Sequence, residues 1–424
     1  MDLTKILQSL SENLLTPIPM CFALGVFCKL IHGGIKIPKE LYYTISIFLL
    51  MSIGFIGGHE LAKEVKEHGI TTIWLPALVT FILGCVTPIS AYVVLRRLGK
   101  FSVADSAGIA AHYGSTSAVT YAVADVFANQ SGSAPNSFLP TLVTILECPG
   151  IAIALAMGAV FSKMEARHHT SGETLLPAEG TSGEDGEKEE GRLWEALYEV
   201  MTGQSIMLMA GLLVIGFIAT FTMAAPAPAP VVEKSAEVKT VEVKTGDKAT
   251  VAAKSEHAPE AEKAKAAAPA DHGAPAAKSD HGSELKMSKG FAPFHDFFYS
   301  KGMIFRGALC IFLLEMGLVA GARLGDLFKV GPFLLAFGIL IPLFHGFLGA
   351  WLGHLAGLNL GGCTVFAAIV SSASYIAAPP AVRLTLPEAN PTLSITAALA
   401  ITFPFNIAFG IPIYFQMAKM LGAT

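Results

Sequence analysis

The sequence predicts an all-α integral membrane protein whose ten transmembrane helices form two inverted repeats of five. Three observations predict it. Of the 424 residues 53% are hydrophobic and only 15% charged. Apolar runs of about twenty residues recur, the length a helix needs to cross roughly 30 Å of hydrocarbon. The most polar patches within those runs fall at corresponding places in the two halves. A transmembrane barrel would instead show short alternating segments, so long runs rich in Leu, Ile, Ala and Gly exclude it. The net charge of −4 sits in loops and forms no nucleic-acid footprint. All six cysteines lie inside apolar runs without metal or disulfide spacing, and read as small core residues.

The expected spans are Leu14–Ile31, Leu41–Gly57, Thr71–Leu95, Val103–Phe127 and Leu139–Phe161 in the first half. In the second half they are Ser205–Met223, Met303–Ala320, Gly331–Leu352, Gly361–Val382 and Thr392–Met420. The first run contains Pro17 and Pro19 and has no small-residue cleavage site behind it, so it reads as a retained helix. Most short-loop Lys and Arg, including Lys29, Arg96, Arg97, Arg323 and Arg383, fall on one side, which is therefore cytoplasmic. Ten spans then place both termini outside.

Five segments follow: a first five-helix repeat over 1–162, an acidic cytoplasmic linker over 163–204, the first helix of the second repeat over 205–223, an insert over 224–290, and the rest of that repeat over 291–424. The linker, with Glu184, Asp185, Glu187, Glu189 and Glu190, reads as a solvated connection ahead of a regulatory docking site. The insert is a low-complexity mixture of Ala, Pro, Lys, Glu and Val, expected to be disordered on the external face. Its dispersed His257, His272 and His281 lack metal-site spacing.

Span four carries His112-Tyr113-Gly114-Ser115-Thr116-Ser117, and span nine carries Ser371-Ser372-Ala373-Ser374-Tyr375. About thirty residues on come Glu147-Cys148-Pro149-Gly150 in span five and Thr402-Phe403-Pro404-Phe405 in span ten. An odd number of spans per half inverts the second half, which places a shared site near the midplane where broken helices meet. A helix broken there exposes amides with partial positive charge, and a small anion accepts hydrogen bonds from them. Gly and Ser allow close backbone approach and add hydroxyl donors. Pro379-Pro380 is expected to interrupt span nine. Such residues also occur where membrane helices simply pack closely; their matched occurrence in both halves favours a binding site.

Glu147 and Glu315 place carboxyls within spans, where a charge costs about 2.5–3.5 kcal/mol; Asp125 lies nearer the external end of span four. Such a carboxylate coordinates sodium or carries a proton. For Glu315 a protonated residue bonded to a neighbouring helix fits equally well. His112 and His345 read evenly as proton relays or helix contacts. No nucleophile–base pair stands at catalytic spacing, so an enzyme is not expected.

Several stretches together resemble the sodium-dependent bicarbonate transporter family: Leu75-Pro76-Ala77-Leu78, Gly114 to Ser117, Glu147-x-Pro149, Phe305-Arg306-Gly307, Pro342 to Gly346, Leu360-Gly361-Gly362, Ser371 to Ser374, Pro379-Pro380 and Ala389-Asn390-Pro391. The resemblance implies core and gate domains, a homotrimer, sodium-driven bicarbonate uptake and a PII-like regulatory protein at the cytoplasmic face. Carried over by position, Gly114, Ser115, Thr116, Ser117, Ser371, Ser372, Ala373 and Ser374 surround the anion. Glu147, with Ser117, Ser374 and Thr402, holds the sodium ion. The chain departs from the family pattern at Tyr375, which replaces an Asp, at Ala377-Ala378, which replace Ser-Gly, and at Val319, where an acidic residue is usual. Two other readings are a proton-coupled carrier of another small anion or carboxylate, and a non-transporting membrane sensor or scaffold.

Overall fold

A computed structural model describes residues 15–170, 201–222 and 302–424, with Trp194, Glu195 and Tyr198 besides. No strand occurs among them. Helix α1 (Pro17–Leu30) begins on a proline, where the missing amide forfeits no helical hydrogen bond. Helices α2 (Lys39–His68) and α3 (Thr71–Arg97) are parted at Gly69, whose φ of 77° favours glycine. Then come α4 (Val103–Gly114), α5 (Ala118–Gln130), α6 (Leu139–Thr170) and α7 (Gln204–Thr222). The second half contains α8 (Met303–Arg323), α9 (Leu327–Leu355), α10 (Leu360–Val370), α11 (Ala378–Thr385) and α12 (Pro391–Met420).

Among the described residues six stretches are long and apolar enough to cross a membrane: α2, α3, Leu139–Ser162, Met303–Asp326, Val330–Leu355 and α12. Helices α1 and α10 and the stretch Ile206–Thr222 are apolar but shorter. Outward faces carry exposed large apolar residues, such as Phe81 and Ile89 on α3 and Leu340, Phe347 and Trp351 on α9, as a lipid-facing surface requires. The linker expected over 163–204 lies largely outside the described residues, and the insert over 224–290 lies wholly outside them.

Two helix pairs are built on backbone contact. A Cβ added to Gly25 of α1 would lie 2.2 Å from the Leu314 carbonyl oxygen, and one on Gly317 of α8 would lie 2.1 Å from that of Phe22. Likewise, a Cβ on Gly58 of α2 would lie 1.9 Å from the Leu213 oxygen of α7, and one on Gly216 would lie 2.3 Å from that of Phe55. Small residues thus bring these backbones together, as in membrane helix dimers. The second helix runs on to His68, past the expected end at Gly57. The extension docks on α7, where Lys66 Nζ donates to the Thr220 carbonyl at 2.7 Å and lies 5.1 Å from the Phe221 ring centre.

Between these pairs and the outer helices α3 and α9 run the most buried elements. Every residue of α4 except Asp105 is buried, as is every residue of α10 after Leu360. Such short helices, apolar on all sides, are stable only inside protein. Helix α12 is uneven, with π-helical turns at Thr396–Thr402 and Asn406–Gly410. The cause is local: Pro404 and Pro412 each lack an amide and crowd the carbonyl four residues back, at Ala400 and Ala408. Both carbonyls lie inside the widened turns.

The break expected from Pro379-Pro380 falls elsewhere. Helix α10 ends at Val370, and the prolines occupy the first turn of α11, where proline fits without disrupting a helical bond. The non-helical stretch is the serine-rich segment before them.

Candidate functional site

The stretches expected as spans four and nine are each two helices joined by a non-helical segment: Ser115 to Ser117 between α4 and α5, and Ser371 to Ala377 between α10 and α11. These breaks lie against each other. The Ser374 amide donates to the His112 carbonyl at 2.8 Å, and His112 Nδ1 bonds the Ser374 carbonyl at 2.6 Å. A carbonyl only accepts, so that nitrogen carries hydrogen. The Ser117 amide donates to Ser372 Oγ at 2.8 Å, and Thr116 Oγ1 lies 3.1 Å from the same hydroxyl. Residue numbers rise along one break as they fall along the other, so the two run antiparallel.

Both breaks use the same local device. Ser117 Oγ accepts from the Thr120 amide and Ser374 Oγ from the Ala377 amide, each at 3.2 Å and three residues on. Each serine thus satisfies an amide at the start of the next helix. Helix α5 opens on Ala118 and Val119, whose amides have no intrahelical acceptor. They direct the positive end of the helix into the space between the breaks.

That space is a cavity of ≈ 30 Å³, room for about two waters. Thr116, Ser117, Ser374, Tyr375 and Glu147 line it, together with Ser46, Leu49 and Leu50 of α2 and Phe312 of α8. Glu147 is only 4% exposed, and its carboxyl makes no hydrogen bond or ion pair with a described residue. The available oxygens are a carboxyl and hydroxyls, a donor set suited to a hard cation such as sodium. The Tyr375 ring is held edge-on against Phe403 with centroids 5.4 Å apart.

The remaining expected site residues surround the cavity without lining it. A Cβ on Gly150 of α6 would lie 1.8 Å from the Gly114 carbonyl oxygen, so Gly114 is where α6 touches the first break. Ser115 Oγ is buried without a partner among the described residues. Ser371 Oγ donates back to the Ala368 carbonyl, Ser372 spans the two breaks, and Ala373 is buried. Thr402 is the exception to the expected cation set. Its hydroxyl donates to the Gly338 carbonyl at 2.7 Å and bonds Tyr113 Oη at 2.6 Å, and it does not line the cavity. His345 bonds Ser90 Oγ at 2.7 Å between α3 and α9, also away from the cavity.

The family model described as the Na+-dependent bicarbonate transporter superfamily matches residues 17–234 and 284–419. The chain belongs to that superfamily. All cavity-lining residues of this Na+-dependent bicarbonate transporter superfamily member lie in the matched stretches, whereas most of the Ala/Pro/Lys-rich insert lies between them. No curated protein matches the chain.

Sequence reasoning on this superfamily member missed Asn406 and Tyr414. Asn406 Nδ2 donates to the Ser371 carbonyl at 3.1 Å, and Tyr414 Oη bonds Asn406 Oδ1 at 2.8 Å. The buried amide of Asn406 therefore ties α12 to the beginning of the second break. Its signal was available, since an Asn in an apolar run requires partners. Ser46 and Phe312 had no comparable signal, because only packing brings them to the cavity.

Proposed function

We propose that the chain is a secondary active transporter for bicarbonate, driven by sodium, with the anion held between the two breaks. The antiparallel contact of Ser115–Ser117 with Ser371–Ser374 around one buried cavity carries this reading. Ser117, Ser374, Thr116 and the opening amides of α5 supply donors to the anion. Glu147, with the Ser117 and Ser374 oxygens, supplies the sodium ligands, and the positive ion offsets the charge of the buried anion.

In this reading the ten spans form two inverted five-helix repeats, with each broken pair counted as one span. Helices α1, α2, α7 and α8 are the gate domain, and the rest form the core. A cavity this small does not admit the four heavy atoms of bicarbonate, so transport requires the core to move against the wall made by Ser46, Leu49, Leu50 and Phe312. We further place the protein in the cell inner membrane with both termini external, as the Lys and Arg of the short loops imply, and as a homotrimer with a PII-like partner at its cytoplasmic face, as the family resemblance implies.

A second reading, proton coupling at Glu147, is favoured by Tyr375, which adds no second carboxylate to the cavity. Uptake of labelled bicarbonate into vesicles separates the two. Sodium-driven uptake supports the proposal; uptake that ignores sodium and follows a proton gradient overturns the choice of ion. No bicarbonate uptake under either gradient overturns the choice of substrate.

A further inference from the structure

A second opening in the molecule is apolar and lies away from the cavity between the breaks. It is a groove of ≈ 500 Å³ between the α1/α8 pair and the helices α9 and α12. Helix α1 gives it a whole face, with Pro19, Phe22, Ala23, Val26, Phe27 and Leu30 at helical spacing. The opposite wall includes Leu335 and Ile339 of α9 and Pro404 and Phe409 of α12. From Pro19 to Leu30 the groove follows α1 for about 16 Å. Phe27 is 57% exposed and Leu335 43%, so the groove opens outward, where the apolar surface meets hydrocarbon.

One end of the groove is basic. Leu30 and Leu324 line it where α1 and α8 finish, and the last turns of those helices carry Lys29 and Arg323. The Lys29 stem lies along Gly321, where an added Cβ would be 2.8 Å from Lys29 Cβ. Its ammonium makes no ion pair with a described residue. Arg323 Nη1 lies 3.5 Å from Asp326 Oδ2. A long apolar channel ending at an unpaired cation matches a molecule with a hydrocarbon tail and a negative head.

We propose that this groove binds one acyl chain of an anionic phospholipid, with the headgroup phosphate at Lys29 and Arg323. The acyl chain wedges between α1 and α12, so the same lipid touches the α1/α8 pair, whose α8 also carries Phe312 of the cavity, and the helix that ties down the second break. Its presence sets how freely these two parts slide.

Full-length protein bearing Phe27→Trp, in bilayers where either phosphatidylglycerol or phosphatidylcholine is brominated, reads the groove directly. The signal is the quenching added over the unsubstituted protein. We expect brominated phosphatidylglycerol at equal mole fraction to compete for the site about thirtyfold better, from the roughly 1 kcal/mol that each of the two basic residues contributes near a charged headgroup. Lys29→Ala combined with Arg323→Ala brings the two lipids to parity. Leu335→Trp, on the facing wall, repeats the measurement should the first variant fold poorly. Equal quenching by both lipids, or a preference that survives loss of both basic residues, overturns the proposal. So does an introduced indole silent to both lipids while a cysteine placed there cross-links two copies of the chain, which makes the groove an interface between subunits.

Discussion

The Ser117 backbone amide donates to the Ser372 hydroxyl at 2.8 Å, a bond between residues 255 positions apart. It fastens the break of the first half to that of the second, and both groups are buried. Ser372→Ala leaves the amide unpaired inside the protein, which costs about 1–3 kcal/mol. We expect a lower melting temperature in detergent and about a tenfold loss of bicarbonate uptake, since 1.4 kcal/mol, within that range, is tenfold in an equilibrium. Ser372→Thr, which keeps the hydroxyl, recovers most of the melting temperature. Unchanged melting and uptake in Ser372→Ala would show that the breaks are not coupled through this bond.

Glu147 faces the cavity with no hydrogen-bond partner among the described residues. Glu147→Gln preserves volume and removes the charge, so the variant is expected to fold normally and to lose sodium-stimulated uptake. Uptake measured across a range of sodium concentrations checks this. A sodium response identical to that of the unsubstituted protein removes Glu147 from the cation site.

Gly150 and Gly114 touch through their backbones, so Gly150→Ala forces α6 off the first break. Overpacking of this kind costs about 1–3 kcal/mol, and the thermal transition is expected to fall accordingly. Gly211 of α7 has open space where its Cβ would go, and Gly211→Ala serves as the control, within about 0.5 kcal/mol of the unsubstituted protein. Equal behaviour of the two variants would contradict the contact.

Asn406 holds the Ser371 carbonyl, and Tyr414 in turn bonds Asn406. Asn406→Leu is expected to impair bicarbonate uptake more than it lowers the melting temperature, because the second break loses its anchor while the apolar packing of α12 remains. Tyr414→Phe removes one hydroxyl and is expected to cost about 1 kcal/mol. Uptake kinetics beside melting curves separate the two effects; an Asn406→Leu variant with full uptake sinks the positioning role.

Much of the fold was legible in composition and periodicity. Apolar runs announced the long helices, and the paired serine-rich patches marked where two of them break. The location of the second break was less legible: Pro379-Pro380 drew attention to themselves, yet proline fits the first turn of a helix, and the opening lies at Ser371 to Ala377. Thr402 had a similar fate. Its place in span ten corresponds to that of Glu147 in span five, but its hydroxyl is taken by Gly338 and Tyr113 and it does not line the cavity. A local pattern carries no information on how far a distorted helix has rotated.

What the sequence alone determined is the chemistry available in the membrane: helices because the backbone must satisfy itself in lipid, and serines, glycines and a carboxyl in runs otherwise apolar. What only the tertiary structure decided is which of these meet. Thr116, Ser117, Ser374 and Glu147 share a cavity, and Ser46 and Phe312 close it, because glycine-built helix contacts and two antiparallel breaks place them there. Such meetings depend on contacts between residues hundreds of positions apart, and no run of neighbouring residues encodes them.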